Sequence, residues 1–449
     1  MYLARLHRFD PLLNFVVTFT EPLALAQAAE ADREIAAGRY RGPLHGIPWG
    51  CKDIIAVPGY KTTWGSSAYR DQHLEIEATV VKLLREAGAV LLAKLATGEL
   101  AMGDTWFAGR TRNPWNPTQG TSGSSAGPAS ATAAGCVAFA IGSETSGSIL
   151  TPSTVAGATG VRPTFGRVSR FGAMTLSWSI DRLGPICRFV EDCAIVLQAI
   201  AKPDDNDFSV IDLPLKWDAR TDVRKLRVGY VAAGFAEASR LPEWRANEAS
   251  VFAELKDLGV VPEPFDLPEL PTNAALDILM AEVGASFDAA LRAGRLAHLP
   301  PGRAYMFKTA GLKSGVDYVQ AQRVRTIVMR RFAEVVSKYD VYLAPSTLAT
   351  PEFQRSLKES AAAALQEPPA GGSTSPRIAP PPAGPTVSHF LTANICGYPA
   401  VSVPNGFTEE GTPTSVLFVG GLYKEPAMLA LAKAYQDRAA WYKREPNLV

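Results

Sequence analysis

The chain has 449 residues, with 45 Lys and Arg against 44 Asp and Glu, and 47% of the residues are hydrophobic. This balance is typical of a compact globular enzyme and argues against nucleic acid or an anionic membrane as a partner. The five cysteines have no CxxC spacing, and the N-terminal residues resemble no signal peptide, so a cytoplasmic protein with reduced thiols is expected.

In the first third of the chain, apolar patterns and turn residues predict a strand over 14–20, a helix from Glu21 that Gly38 ends, a strand within 41–57, a helix over 75–87 and a strand over 89–93. Residues 157–190 are predicted to be mostly loop. Further on, helices are predicted from near Glu191, over 243–258, 273–296 and 316–339 and from about Glu425, and strands over 226–231, 341–345, 400–404 and 415–419.

This alternation of short apolar strands with helices predicts an α/β fold, with a central mixed sheet covered by helices on both faces. We expect a single domain over residues 1–449: a catalytic core at about 41–200, a helical and substrate-pocket region at about 201–390, and C-terminal strands and a helix at 391–449. The Pro- and Gly-rich residues 367–385 are expected to form a mobile loop.

The most informative stretch is residues 121–153, where two Gly- and Ser-rich loops flank an apolar segment of small residues. The segment, 128–141, is predicted to be a buried helix, too short to cross a bilayer. Glycine and serine in one loop usually indicate only a turn. Two such loops beside a buried helix can present free backbone N–H groups, which stabilise an oxyanion.

A serine nucleophile needs a base to accept its proton. Residues 123–127 fit G-x-S-x-G with Ser125 as the nucleophile and His298 or His389 as the base, but no strand is predicted before this loop, as a nucleophile elbow requires. A P-loop has no match, because no lysine follows either loop.

A neutral, buried lysine is the other base available to a serine. Lys52 lies among Trp49, Gly50, Cys51 and Ile54, and it is the lysine best placed for burial, although a lone lysine beside a strand is more often an exposed edge charge.

Several ordered motifs resemble the amidase signature family of serine hydrolases. The chain has SGSSAGP at 122–128, GSETSGSIL at 142–150, LHGIPWGCKD around Lys52, and DRLGPICR at 181–188. The spacing of the matched serines, 148 − 124 = 24 residues, also fits the family. GVRPTFGRVSR at 160–170 and the C-terminal NICGYPAVSVPNG also match, so the resemblance covers nearly the whole chain. Several ordered motifs that match together are far more specific than any one of them.

The resemblance implies that Ser148 is the nucleophile, Ser124 the bridging serine after a cis peptide bond, and Lys52 the base. It also implies an oxyanion hole made by the N–H groups of Thr145, Ser146, Gly147 and Ser148. Gly123 and Ser125 would support this network by position and hydrogen bonding. Met102, Gly103 and Asp104 align loosely with a family segment that faces the nucleophile, and are candidate substrate-binding residues.

The chain departs from the family pattern at three positions: Glu144 replaces the usual Asp, Ser146 a Gly, and Leu150 the usual Arg. We therefore expect Arg162 to replace the missing arginine as the partner of Glu144. Since less chain precedes Lys52 than is usual in the family, the opening helices are expected to be shortened or missing.

The expected activity is hydrolysis of a carbon–nitrogen bond in small or aryl amides, with ester or carbamate (urethane) cleavage also compatible. Two other classes stay open: the glutaminase subunit of a tRNA-dependent amidotransferase, and a silent ligand-binding scaffold, against which the intact Lys52, Ser124 and Ser148 argue. No cofactor, metal, nucleic acid or membrane is expected, and the protein is expected to be a monomer or homodimer. A pocket is expected near Trp106, Phe107, Trp178, Met280 and the loop after Thr347, with residues 367–385 as its lid.

Overall fold

A computed structural model describes residues 1–365 and 385–448. The predicted loop 367–385 therefore lies, apart from Pro385, outside the described residues. Within the described ranges no helix is long and apolar enough to cross a membrane.

The strands are β1 Val16–Phe19, β2 Pro48–Lys52, β3 Val90–Leu95, β4 Thr105–Trp106, β5 Gly109–Arg110, β6 Arg112–Asn113, β7 Asn116–Gly120, β8 Phe139–Glu144, β9 Thr159–Arg162, β10 Arg182–Cys187, β11 Val228–Val231, β12 Glu263–Phe265, β13 Val341–Pro345, β14 Ala400–Phe407 and β15 Pro413–Gly420.

The helices are α1 Tyr2–Leu13, α2 Glu21–Ala36, α3 Thr79–Glu86, α4 Ala126–Ala133, α5 Leu150–Ala156, α6 Val190–Ile200, α7 Ala232–Phe235, α8 Pro242–Asp257, α9 Thr272–Arg292, α10 Pro301–Ala310, α11 Gly315–Val336, α12 Pro351–Leu365, α13 Pro385–Ile395 and α14 Glu425–Ala439.

Eleven strands form one mixed sheet in the order β1-β3-β2-β8-β10-β9-β14-β15-β13-β11-β12. Strand β2 is parallel to both of its neighbours, β3 and β8, and β11 is parallel to β13 and β12, whereas the remaining pairs are antiparallel. The predicted α/β fold with a central mixed sheet is confirmed.

The sheet has a hydrophobic core on each face. In β8, Phe139 and Ile141 belong to the largest core cluster, whereas Ala140 between them belongs to another. In β15, Val416 belongs to the largest cluster and Leu417 to a third. Because successive side chains of a strand point to opposite faces, both faces are covered, as the sequence predicted.

The prediction of one helix over 128–141 is wrong in its second half. Helix α4 ends at Ala133, Gly135 takes a φ of 65°, and the N–H of Cys136 donates to the carbonyl of Ala131 at 2.9 Å, which is a Schellman motif. The apolar residues that follow form strand β8. A short apolar run fits a buried strand as well as a buried helix, so its pattern does not distinguish them.

Three further predictions need correction. Residues 157–190 contain the buried strands β9 and β10, and Pro185 inside β10 had hidden the second of them. Residues before the 123–127 loop do form a strand, β7, in a two-stranded sheet with β6. The predicted helix 75–87 begins only at Thr79. The other predicted helices and strands are present, within a few residues of their expected ends.

Candidate active site

Two parallel strands bring the lysine and the second serine motif to one edge of the sheet. Lys52 is the last residue of β2, and the neighbouring β8 runs parallel to it, with Cys51 opposite Ile141. The carboxyl ends of parallel strands meet at the same edge, where ligand sites of α/β sheets commonly lie. Lys52 is therefore placed beside Ser143, near the end of β8.

The first serine motif reaches the same edge through helix α4. All residues of α4 are buried, and Gly127 lies so close to the chain that a Cβ there would meet the backbone nitrogen of Ala96 at 2.4 Å. Small residues are thus required for the close packing that the sequence suggested. Just before the helix, the Gly123–Ser124 peptide bond is cis.

The Lys52 amine lies in a cage of hydroxyl groups. Its Nζ is 2.7 Å from Ser124 Oγ, 3.0 Å from Ser125 Oγ and 2.8 Å from Ser143 Oγ. The lysine side chain is fully buried. The prediction that Lys52 is buried beside Ser124 is confirmed, and the alternative of an exposed edge charge is wrong.

The hydrogen bonds of this cage suit a neutral amine, which has two N–H donors and one lone pair. The Ser125 hydroxyl donates to the Ser143 carbonyl and accepts the Ser143 N–H, both at 3.1 Å, so it can only accept from Lys52. With the Ser143 hydroxyl as a second acceptor, the lone pair of Lys52 is available for the proton of Ser124, its shortest contact.

Burial lowers the pKa of Lys52 from 10.5 to about 7, although the negative charges of Asp181 and Glu144 act in the opposite direction. In the described part of the chain, the groups bonded to Nζ are hydroxyls and one carbonyl, not carboxylates. A large fraction of Lys52 is therefore unprotonated near neutral pH, and this is the form that can act as a base.

The turn 145–148 carries the proposed nucleophile and oxyanion donors. Ser148 is half-buried, and its carbonyl accepts the N–H of Ser125 at 3.1 Å, which joins the two serine loops. Gly147 takes a φ of 96°, a conformation that favours glycine, whereas Ser146, at the family's usual glycine position, has no positive φ. The Ser146 side chain is exposed.

Glu144 and Arg162 form the buried pair that the sequence suggested. Arg162 Nη1 lies 3.0 Å from Glu144 Oε1, and both side chains are almost fully buried. Oε2 of Glu144 accepts the N–H groups of Ile149 and Leu150, at 2.8 and 2.9 Å, at the start of helix α5. The carboxylate thus fixes the backbone directly after Ser148 and complements the helix N-terminus.

Replacing Arg162 with alanine is expected to reduce the free energy of unfolding by about 3–5 kcal/mol, because Glu144 would be left as an uncompensated buried charge. Urea denaturation would measure this. Arg227→Ala is a matched control, since Arg227 pairs with Asp340 while 62% of its side chain is exposed, and such pairs contribute at most about 1 kcal/mol. An Arg162→Ala protein as stable and as active as wild type would contradict this role.

Asp181 connects the oxyanion turn to the segment before β10. Its Oδ1 accepts the hydroxyl of Thr145 at 2.6 Å, and its Oδ2 accepts the N–H groups of Leu176 and Ser177, at 2.7 and 2.9 Å. Burial raises the pKa of Asp181, although these hydrogen bonds act in the opposite direction. Asp181 was not among the predicted site residues, although it begins the DRLGPICR motif.

The segment 102–104 packs against the cis peptide bond. A Cβ on Gly123 would meet the carbonyl oxygen of Gly103 at 2.0 Å, so only glycine fits this approach. Asp104 is buried, bonded to Arg110 at 3.0 Å and to the N–H of Ser122 at 2.9 Å. These contacts position the loop before Ser124, and substrate binding by Met102, Gly103 and Asp104 stays a prediction.

Ser143 is the most important residue that the sequence interpretation missed. Its hydroxyl and carbonyl both contact Lys52 Nζ. The signal was present, since Ser143 belongs to the same motif as Ser148 and β8 was mistaken for a helix. A second fully buried lysine, Lys94, was also missed. Its amine lies 2.7 Å from the carboxylate of Asp53, the residue that follows Lys52 in the sequence.

A cavity of about 160 Å³ lies next to this network. Ser143, Thr145 and Asp181 form part of its wall, and Trp178 lines it as predicted, whereas Trp106, Phe107 and Met280 do not. Across the described residues, no group of three or more His, Cys, Asp or Glu side chains could hold a metal ion.

Comparison with known proteins finds a family model and relatives that span nearly the whole chain. The family model described as Amidase matches residues 1–429. The A subunit of the glutamyl-tRNA(Gln) amidotransferase from Methylococcus capsulatus is 33% identical over 466 residues, covering 99% of this chain and 94% of that protein.

Solved structures share the fold over the whole chain. The native peptide amidase of Stenotrophomonas maltophilia superposes with a TM-score of 0.79 at 30% identity, covering 99% of this chain and 93% of the other. A 6-aminohexanoate cyclic dimer hydrolase in complex with substrate has a TM-score of 0.82 at 23% identity, covering 100% and 94%, and this second likeness concerns the fold alone.

Proposed function

The chain belongs to the amidase family, and from this premise we propose that it hydrolyses small-molecule amides through a relay of Lys52, Ser124 and Ser148. Membership supports a hydrolase acting on carbon–nitrogen bonds. The observation that carries the relay is the buried Lys52 amine, 2.7 Å from the hydroxyl of Ser124 and with a pKa lowered to about 7.

In the acylation step, Ser148 Oγ forms a bond to the substrate carbonyl carbon while its proton passes to Ser124 and the proton of Ser124 passes to Lys52. The oxyanion that forms accepts hydrogen bonds from the N–H groups of residues 145–148. When the intermediate collapses, the C–N bond breaks and Lys52 returns a proton, through Ser124, to the leaving amine. Water then cleaves the acyl-enzyme ester by the reverse transfers, which restores the Ser148 hydroxyl.

The charges around the cavity disfavour a negatively charged substrate. Arg170 and Asp207 both line it, but they pair with each other at 2.8 Å. Asp181 accepts three hydrogen bonds and has a raised pKa. A negatively charged ligand would therefore find no unpaired cation among the residues that line this cavity. Neutral amides, and with them esters and carbamates of similar shape, fit this electrostatic environment.

The second candidate function is a glutaminase subunit that acts with partner subunits, because the amidotransferase protein from Methylococcus capsulatus is 33% identical over nearly the whole chain. A protein of that kind would cleave glutamine and show little activity alone. Glutamine carries a carboxylate, and Arg170, the cation among the residues that line the cavity, is already paired with Asp207, which favours the free-standing amidase. The monomeric or homodimeric state and the cytoplasmic location stay predictions.

The function can be tested on the isolated protein with a panel of anilides, benzamides, carbamates, esters and free glutamine. We expect hydrolysis of neutral amides without any partner protein. A fluorophosphonate should form an adduct on Ser148, located by mass spectrometry of peptides. Cleavage of glutamine alone, and only after a partner protein is added, would favour the amidotransferase function. An unreactive Ser148 with no hydrolysis would refute the relay.

A further inference from the structure

The segment that carries an exposed tryptophan is held at the cavity by several polar contacts. Trp178 lines the cavity, yet 66% of its surface is exposed. Its two neighbours are fixed by one carboxylate of helix α9: Glu282 Oε2 accepts the hydroxyl of Ser177 and, at 3.0 Å, the N–H of Ser179. Glu282 is itself buried and also accepts the hydroxyl of Tyr318 at 2.9 Å.

Two arginines fix the same segment from other sides. Arg325 on helix α11 donates to the hydroxyl and the carbonyl of Ser179, at 2.8 and 3.0 Å. Arg170 donates to the carbonyl of Trp178, and its guanidinium lies 5.2 Å from the centre of the indole ring. The Arg170 charge is in turn paired with Asp207. The backbone of residues 177–179 is therefore held in place, and Arg170 contacts the indole ring, although much of that ring faces solvent.

This arrangement adds little to the stability of the fold, because the exposed indole buries little apolar surface and the buried charged groups must be fully paired. An indole that lines a cavity on a well-held backbone segment is, however, well suited to bind a flat ring, since aromatic pairs contribute beyond the area that they bury. The cavity is also the right size, because an apolar cavity of about 150 Å³ binds benzene. This one measures about 160 Å³.

We propose that Trp178 is the stacking surface of a substrate subsite for an uncharged aryl group, so that the preferred substrates are aryl amides or aryl carbamates. The proposal rests on the proposed amidase function. It follows from the position of the cavity, whose wall includes Ser143 and Thr145. Ser143 contacts Lys52, and Thr145 begins the oxyanion turn, so a ring in the cavity is attached near the scissile bond.

Pairs of aryl and cyclohexyl substrates of similar size measure the contribution of aromatic stacking on Trp178. Benzamide is compared with cyclohexanecarboxamide, and acetanilide with N-cyclohexylacetamide, which places the ring on the acyl or on the leaving side. In Trp178→Leu we expect kcat/KM to fall about 2- to 10-fold for the aryl member of one pair, with the cyclohexyl member unchanged. Trp178→Phe should retain most of the preference. Trp441→Leu is the control, since Trp441 contacts Phe407 and does not line the cavity.

Glu282 is a positioning residue in this proposal. Glu282→Gln keeps the shape but loses an acceptor, so we expect KM for the aryl substrates to rise several-fold while kcat is kept. Asp288→Asn, on the same helix and in an exposed pair with Arg292, is the matched control and should change neither constant.

The results separate the subsite from the function. Hydrolysis of the panel with an unchanged aryl preference in Trp178→Leu, or with no aryl preference in wild type, would overturn the subsite and leave the amidase function intact. Absence of hydrolysis and of a Ser148 adduct in wild type would overturn the function itself, and the subsite with it.

Discussion

Replacing Ser148 with alanine is expected to lower kcat/KM for amide hydrolysis by about 10⁵- to 10⁶-fold, the loss seen when a serine nucleophile is removed from other hydrolases. The protein should stay folded, because Ser148 is half-buried and its hydrogen bond to Ser125 uses the backbone carbonyl, which alanine retains. The fluorophosphonate adduct should disappear. Ser250→Ala, an exposed serine on helix α8, is the control and should leave both activity and labelling unchanged.

Ser125→Ala tests the competing assignment of the nucleophile. The Ser125 hydroxyl is fully buried and engaged with both Lys52 and Ser143, so it is not free to attack a substrate. We expect Ser125→Ala to react more slowly, yet still to carry its adduct on Ser148. An adduct on Ser125 in wild type, or hydrolysis that survives Ser148→Ala, would show that the relay is assigned to the wrong serine.

The site could be predicted from sequence because its residues lie in motifs with fixed local order. Lys52 ends a buried strand, and Ser124 precedes a helix of small residues, so ordered motifs located both before the fold was known. The pairing of Arg162 with Glu144 was also predictable, since a buried carboxylate without the family's usual arginine needs another cation.

What the sequence did not reveal depends on contacts between distant segments. Glu282 reaches Ser177 across 105 residues, and no local pattern marks either as a partner. The division of residues 126–144 into α4 and β8 was missed because Gly135 ends the helix within a continuous apolar run. Lys94 was missed for a similar reason: its partner Asp53 becomes visible only when β3 is aligned beside β2.

Lys52→Met is expected to lose activity and Lys94→Met to lose stability, although both lysines are fully buried. Lys52 contacts hydroxyl groups, so its loss should lower kcat/KM by about 10²- to 10⁴-fold, the usual contribution of a general base, while the fold is retained. Lys94 is paired with Asp53, so its loss should reduce the free energy of unfolding by about 3–5 kcal/mol. Kinetics and urea denaturation of both variants would measure the contrast.

A Lys52→Met enzyme with wild-type activity would show that another group accepts the proton. If Lys94→Met were as stable as wild type, the buried ion pair between Lys94 and Asp53 would not stabilise the fold. The comparison is informative because the two variants share the same chemical change on adjacent parallel strands.

The pH dependence of activity and of stability follows from the lowered pKa of Lys52. Because the pKa of Lys52 is lowered to about 7 and its neutral form is the base, kcat/KM of the wild type should rise about tenfold per pH unit below pH 7 and level off above it.

The unfolded chain, with its lysine pKa at 10.5, binds more protons than the folded protein between about pH 7 and 10.5, so Lys52 lowers stability progressively as the pH falls through this range. Lys52→Met lacks this contribution, and its stability relative to wild type should increase as the pH is lowered from 10 to 7. A rate optimum near pH 5 would mean that Lys52 is not the base, because at that pH it would be almost entirely protonated.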